Sequence, residues 1–371
     1  MSHLPMPVQS GEVVAVAPAH SLRSTLPHLV KLGRPKYLLY SWLLHTLGVA
    51  AAAFMGYTPS LGTYMHGQLF VWCLHLMTHY CNEYFDLEAD TANPSPTQWT
   101  GGSRVLVEGL IDPKVSLATS FVLLFVCLLL IPAMPRPGQY AALIGLALAW
   151  FYTAPPLQLN YRGMGEMTVT TVLNGCFPLI GYALASGEAS VFPFLLLLPA
   201  FLIQFVRMTI MNLLDYEGDR RVGKRTLVVL LGPSTVIHMH AVGQTLSYVL
   251  LVPGVLWWGV PLWVAICVAL SAPLAAWQVI RLYKGAHVDP RTGNSVVFWA
   301  STHTSLVVAA AYVGLLIEGF LRGSFSLTDG YSELLPVPLF IYSFILVRQI
   351  RKNRPKPAAP LAAVEVQVRT A

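Results

Sequence analysis

The chain is 371 residues long, 55% hydrophobic and only 11% charged, with a formal net charge of +6. Soluble domains are about a quarter charged, so this composition excludes an ordinary water-soluble enzyme and suits a protein dissolved in lipid. The positive balance is a topology bias with some attraction to anionic lipid, and it needs no nucleic-acid partner.

In chain order, the first thirty residues are polar-mixed. They hold no apolar run of signal length between Met1 and Leu32, so no secretory segment is expected. Apolar runs then recur at Tyr37–Met55, Leu61–Tyr80, Val115–Ala133, Gly138–Tyr152 and Met167–Leu184. They continue at Phe192–Leu213, Leu227–Leu251, Val260–Ile280, Val296–Ile317 and Leu334–Val347. A span needs roughly 20 apolar residues to cross about 30 Å of hydrocarbon. Most runs meet that length; Gly138–Tyr152 and Leu334–Val347 are short and must tilt or borrow flanking residues. Backbone groups cannot go unpaired in lipid, and the period-2 alternation of a membrane barrel is absent, so the spans are helices. The predicted fold is an all-α, multi-span transmembrane bundle. The Pro/Ala-rich tail from Lys352 is expected to be disordered. Cys73, Cys81, Cys127, Cys176 and Cys267 show no paired spacing, so neither disulfides nor zinc are expected.

Lys and Arg set the orientation. Arg23, Lys31, Arg34 and Lys36 precede the first span and place the N-terminus inside. Alternating from there, inside loops hold Arg104, Lys114, Arg162, the Arg220–Arg225 group, Arg281, Lys284 and Arg291, against Arg136 and Arg322 outside. Ten segments would also put the basic tail inside. The expected location is an integral, multi-pass protein, by default in a bacterial inner membrane, with an organelle as the alternative.

Two acidic clusters then fall on the same, cytoplasmic side. NEYFDLEAD (residues 82–90) follows the second span, and Asn82, Asp86 and Asp90 at i, i+4 and i+8 share a helical face. NLLDYEGDRRVGKRTL (residues 212–227) follows the sixth, with Asp215 and Asp219 again at i, i+4. Like charges at that spacing destabilise a helix unless something binds between them. Carboxylates at one membrane face, with Arg104 after the first cluster and Arg220, Arg221, Lys224 and Arg225 after the second, suit Mg2+ and a diphosphate. GxGxxG and P-loop signatures are absent, so nucleotide chemistry is not suggested.

These motifs resemble the UbiA superfamily of intramembrane prenyltransferases, which carries NDxxDxxxD after its second helix and DxxxD after its sixth. The stretches GRPKYL (33–38), TGGSRVLVEGLI (100–111), YTAPPLQLNYRGMGE (152–166) and GKRTL (223–227) agree. The last three look most like the branch that prenylates dihydroxynaphthoate. Glu83 departs from the usual Asp, keeping the charge but changing its reach. The resemblance implies nine core helices, with a possible tenth C-terminal segment. It divides the chain into an N-terminal cytoplasmic segment (1–32), the bundle (33–318), an extra segment (319–351) and the tail (352–371).

It further implies that Asn82, Asp86 and Asp90 hold one Mg2+ and Asp215 and Asp219 a second, both bridging the diphosphate of an isoprenyl donor. Asp86, Asp90, Asp215 and Asp219 are then the catalytic acids. Asn82, Arg104, Arg162, Asn212, Lys224 and Arg225 are the candidate substrate-binding residues, Arg162 and Lys224 foremost, while Arg104 and Arg225 could equally serve the lipid surface or local acids. Leaving-group stabilisation releases an allylic cation. That cation needs a dry, aromatic interior, for which Tyr84, Phe85, Trp150, Phe151 and above all Tyr152 are candidates. The expected partners are an isoprenyl diphosphate, a lipophilic aromatic or quinone-precursor acceptor and the bilayer, with no obligate protein partner.

Two other reactions use the same signals. An intramembrane terpene cyclase would ionise the same donor without an acceptor. A transporter would show repeat symmetry and broken helices at the midplane, whereas these acids sit at span ends. Arg207, five residues before Asn212 inside the sixth span, either reaches the diphosphate or pairs with Asp215. His66, His75 and His79 share the second span and are expected to be satisfied interior histidines. His303 and Glu318 are polar groups of the ninth span, Glu318 close to its outer edge.

Overall fold

The computed structural model describes residues 22–93, 96, 101–325 and 335–353. Among these residues every named element is a helix. Helices α1 (Leu22–Gly33), α2 (Leu38–Phe54), α3 (Leu61–Phe85), α4 (Leu87–Ala92), α5 (Pro113–Leu130) and α6 (Arg136–Phe151) form the first half. A continuous rod then runs through α7 (Gly165–Thr170), a widened π turn at Thr171–Cys176 and α8 (Phe177–Ser186). The second half holds α9 (Phe192–Leu213), α10 (Tyr216–Arg221), α11 (Leu227–Leu231), α12 (Pro233–Val249), α13 (Leu251–Trp257), α14 (Leu262–Ala269), α15 (Ala272–Tyr283), α16 (Pro290–Leu321) and α17 (Pro336–Asn353).

Helix starts follow local chemistry. Ser60 accepts from the Thr63 amide, and Asp112 and Asp289 cap α5 and α16 with proline in the first turn. Seven stretches are long and apolar enough to cross a membrane: Thr25–Phe54, Pro113–Ala133, Gly165–Ser186, Phe192–Leu213, Pro233–Trp257, Leu262–Tyr283 and Pro290–Leu321. The chain is therefore an integral, multi-pass membrane protein. The expected second span, α3, has ample length at 25 residues, but His66, Gln68, His75, His79 and Asn82 make it too polar to join the seven. α6, at 16 residues, is short, as its sequence indicates. The expected run Leu227–Leu251 is not one helix, because Gly232 and Pro233 separate α11 from α12.

Lipid-facing and buried faces are distinct. Phe121, Val122, Phe125 and Leu129 of α5 point outward, while α2 is buried along most of its length. α2 and α8 meet backbone to backbone, since a Cβ on Gly48 would lie 2.0 Å from the Pro178 carbonyl. Small residues at membrane helix contacts allow that approach. The C-terminal α17 lies against α2 and α16, with Tyr342 buried and the Tyr312 hydroxyl donating to the Leu335 carbonyl at 2.7 Å. The five cysteines are free. Of the tail expected from Lys352, residues 352 and 353 instead close α17, whose helix runs on to Asn353; residues from 354 on and those before 22 lie outside the described residues.

Candidate active site

Both acidic motifs interrupt a long helix in the same way. Asp86 separates α3 from α4 at φ −94°, ψ 4°, and Asp215 separates α9 from α10 at φ −99°, ψ 0°. The bend does not break register. Asp86 N donates to Asn82 O and Asp90 N to Asp86 O, both at 2.8 Å, and Asp219 N donates to Asp215 O at 2.8 Å. The i, i+4 acid spacing read from the sequence thus survives at the ends of two membrane helices.

The two ends meet. Lys224 Nζ lies 3.1 Å from Asp86 Oδ2 and 3.9 Å from Asp219 Oδ1, joining one acid of each motif. Asn93 Nδ2, just after α4, donates to Asp215 Oδ1 at 2.6 Å. Asp86 also accepts from Asn82 Nδ2 at 2.7 Å and from Asn160 Nδ2 at 3.1 and 3.2 Å. Tyr161 places its ring under Lys224, with Nζ 5.5 Å from the ring centre. Arg225 N donates to Tyr161 O at 3.3 Å, tying the 152–162 loop to the loop after α10.

Electrostatics follow from crowding. Burial, then the charges of Asp86 and Glu83, push the Asp90 carboxyl up to about 8. Burial and Asp86 raise Asp219 to about 6, with Lys224 acting against them. Burial alone would lower Lys224, but Asp86 and Asp219 outweigh it and hold its ammonium well above the usual lysine range. The site stores negative charge that a cation would relieve.

A cavity of about 240 Å³ runs from this charged end into the bundle. Asn82, Asp86, Asp90, Tyr152, Asn212, Asp215 and Lys224 line it, together with Arg34, Tyr37, His75, His79, Arg207 and apolar residues including Leu74, Val172, Phe177 and Met208. Asp219 stands behind Lys224 and outside the lining. Arg104, Arg162 and Arg225 also lie outside it. Arg104 Nη1 donates to the Asp90 carbonyl at 2.7 Å, and Arg162 Nη2 to the Pro156 carbonyl at 3.0 Å. Of the five expected aromatics only Tyr152 faces the cavity. Trp150 packs at a tilt against Phe121 instead, at 4.9 Å between ring centres.

Glu83 turns away from the cavity. It takes the Arg34 guanidinium and both the amide and hydroxyl of Ser103, each of the latter at 2.7 Å. Its extra methylene is what reaches the 101–103 loop. That loop packs directly on the first motif: Gly102, at φ +71°, sits so close that a Cβ would be 2.2 Å from Asp90 Oδ2. Asn93, Asn160 and Glu166 were not singled out from the sequence. Glu166, 1% exposed, accepts from Asn212 Nδ2 at 2.8 Å and Leu227 N at 3.0 Å, so it aligns the second motif from beneath. An acid placed immediately before the apolar run Met167–Leu184 was the signal available for it.

The histidines correct the expectation that all are satisfied. His66 does pair with the Leu130 carbonyl at 2.9 Å. His75 and His79 stack at 4.8 Å on the cavity wall, and His75 Nδ1 and His79 Nε2 have no partner. Glu318 pairs with Arg322 at 2.8 Å, at the end of α16.

Residues 41–302 match the UbiA prenyltransferase family. The chain belongs to that family. It is 26% identical over 303 residues to the 1,4-dihydroxy-2-naphthoate octaprenyltransferase of Bacillus subtilis (strain 168), covering 79% of this chain and 93% of that one. Its fold is similar to that of a UbiA homolog from Aeropyrum pernix K1, with a TM-score of 0.60 at 19% identity over 76% of this chain and 98% of the other. A UbiA homolog from Archaeoglobus fulgidus bound to GPP and Mg2+ is similar with a TM-score of 0.53 at 16% identity, over 78% and 99% of the two chains. The protein is a UbiA prenyltransferase embedded in the membrane by its helical bundle.

Among the described residues no three His, Cys, Asp or Glu side chains form a metal site on their own. That is compatible with Mg2+, which takes one or two carboxylates and fills its octahedron with water and substrate phosphate. The donors at the junction are oxygen-bearing Asp and Asn side chains, and two of the carboxyls are held above their ordinary range by burial and by neighbouring acids.

Proposed function

We propose that the protein transfers an isoprenyl group from an isoprenyl diphosphate to an aromatic or quinone-precursor acceptor within the bilayer, with two Mg2+ ions. Asn82, Asp86 and Asp90 would hold one ion and Asp215 and Asp219 the other. The observation that carries this reading is the Lys224 bridge, which shows the two acid motifs sharing one cavity mouth. Its orientation, with that mouth toward the cytoplasm, is supported by the basic residues clustered in the loops on that side.

The ions would supply Lewis-acid neutralisation of the departing diphosphate. Lys224 sits where a phosphate oxygen would be held between the motifs, and Asn212 lines the wall beside it. One such electrostatic contact is worth about 3 kcal/mol in a preorganised site. Arg104, bonded to the backbone that carries Asp90, positions the first motif, and Arg162 and Arg225 position the loops that carry Asn160 and Lys224. The apolar length of the cavity accepts the isoprenyl chain and excludes water. The Tyr152 ring lines it next to the acids, where a developing allylic cation would be stabilised. Attack by an electron-rich acceptor carbon and loss of a proton, or of carbon dioxide from a carboxylated carbon, completes the transfer.

The test is product mass spectrometry on the purified protein with Mg2+ and donors of graded length, with and without 1,4-dihydroxy-2-naphthoate or 4-hydroxybenzoate. A prenylated aromatic is expected only when an acceptor is present. A hydrocarbon formed from donor alone would replace this reading with terpene cyclisation.

A further inference from the structure

Prenyl transfer to an aromatic carbon leaves one proton to be removed. As the new C–C bond forms, the C–H bond at that carbon breaks and its electron pair returns to the ring. The proton needs a base within reach. Water is a poor choice, because water beside an allylic cation quenches it. The departing diphosphate is another poor choice, because the charges that draw it off also lower its basicity.

Among the described residues that line the first cavity, the titratable groups divide cleanly. Asp86, Asp90 and Asp215 are the metal ligands of the reading above. Arg34 pairs with Glu83, and Lys224 with Asp86. Arg207 donates to Gln204 Oε1 at 3.2 Å and Ser301 Oγ at 2.9 Å. These three cations offer no lone pair. Tyr37 and Tyr152 are phenols, which carry their own proton at neutral pH. The neutral bases that remain are His75 and His79.

The two rings stack at 4.8 Å on one face of α3, and that face continues to Asn82. His75 lies seven residues before Asn82, about 10 Å along the helix, so it stands clear of the metal ligands. It is buried, and its Nδ1 has no hydrogen-bond partner. Other interior histidines are used up. His66 pairs with the Leu130 carbonyl at 2.9 Å, and His240 Nδ1 with the Val206 carbonyl at 3.2 Å. His303 is held by Gln278 at 3.1 Å and Tyr248 at 2.8 Å. Such bonds fix a tautomer and occupy a nitrogen. His45 has neither nitrogen partnered, but it lines neither this cavity nor its neighbour, and it is packed so closely that a Cβ on Gly67 would lie 2.5 Å from its Nε2. His79 is sandwiched between His75 and Tyr37, 5.7 Å away on its other side. His75 borders both the first cavity and a neighbouring one of about 140 Å³.

We propose that His75 is the base that takes the proton from the prenylated carbon. The inference rests on the prenyl-transfer reading above. A lone pair of the imidazole forms the new N–H bond, the aromatic product leaves neutral, and the ring becomes an imidazolium. His79, between His75 and Asn82 on the same face, stands on the proton's way to the diphosphate, which carries it out and restores the neutral base. Cation formation and cation capture are thereby served by different parts of one cavity.

The experiment uses the purified full-length protein in detergent with Mg2+ and geranyl diphosphate. The acceptors are 4-hydroxybenzoate and 1,4-dihydroxynaphthalene, each with hydrogen or deuterium on its ring carbons. Prenylated aromatic, hydrocarbon, geraniol and diphosphate are counted, and the readout is deprotonated product per diphosphate released. Wild type should give a ratio indifferent to deuterium. His75→Gln should lower the ratio about tenfold or more, with geraniol making up the difference. Ring deuterium should lower it further, because proton removal then competes with reversal of the attack. His75→Ala should behave alike and regain product with added imidazole, and it carries the test if His75→Gln does not fold. An unchanged ratio in both variants overturns the proposal. So does a lower ratio blind to deuterium, which would mark a water leak, or a loss found in His79→Gln alone. Hydrocarbon in place of prenylated aromatic from wild type replaces transfer with cyclisation, and the His75 ratio is then scored on the hydrocarbon. Wild type that releases no diphosphate with Mg2+ sinks the prenyl-transfer reading and this step with it.

Discussion

Lys224 Nζ stands 3.1 Å from Asp86 Oδ2, although 138 residues separate them and they belong to different acid motifs. With Asp219 3.9 Å away on the other side, a single ammonium holds together the ends of two membrane helices. Lys224 thus offsets part of the negative charge gathered at the junction.

Replacing Lys224 by Met should therefore lower both activity and stability. The ammonium is largely buried, and leaving its acid partners unpaired costs about 3–5 kcal/mol. The expected thermal melt shows a lower midpoint, and added Mg2+ restores more of it than in wild type. An unchanged melt would separate Lys224 from the junction.

Asp86→Ala or Asp215→Ala should reduce turnover at least 100-fold while the bundle stays folded, as judged by size-exclusion chromatography and helical content. Wild-type turnover in either variant would remove these residues from the site.

The pH dependence follows from the two raised carboxyls. With Asp90 near 8 and Asp219 near 6 in the folded protein, the native state holds protons that the unfolded chain releases near pH 4. Stability without metal therefore falls as pH rises from about 4, through 6 for Asp219 and up to 8 for Asp90, and levels off above that. Mg2+ competes with those protons, so its apparent affinity should rise across the same window, approaching about tenfold per pH unit where one proton is displaced. Thermal melts at pH 6, 7 and 8, with and without Mg2+, read both slopes. A Mg2+ affinity flat across that range would contradict the assignment.

Glu83→Asp, which restores the residue usual to the motif, should weaken the protein. The shorter side chain cannot reach both Arg34 and Ser103, so the loop that packs on Asp90 loosens. A lower melting midpoint with an unchanged Mg2+ requirement is expected. Gly102→Ala should do more harm to activity, because its Cβ would collide with the Asp90 carboxylate. An active Gly102→Ala protein would show that this approach is not needed.

The bundle and the acid motifs were legible because their signals are local. Run length gives the spans, and four-residue spacing survives the bend at Asp86 and Asp215. The second span was legible as a helix from its apolar run, yet its polar residues, of which His75, His79 and Asn82 line the cavity, are what keep α3 out of the most apolar set. The helper residues were hidden because their roles depend on distant loops. Asn160 meets Asp86 across 74 positions, and Asn93 meets Asp215 across 122. Arg104 and Arg162 were legible as basic residues beside the acids, whereas their bonds to the carbonyls of Asp90, 14 residues away, and Pro156 depend on how the loops fold back.

The placement of α17 has an evolutionary corollary. The acid motifs belong to the chain's middle, whereas Tyr342, Leu346 and Gln349 of α17 close one side of a neighbouring cavity of about 140 Å³ that shares Tyr37, His75 and Leu173 with the first. Selection can reshape that panel by point changes or by splicing in a new terminus, leaving the acids undisturbed. Whatever that chamber admits can thereby change without altering the carboxylates.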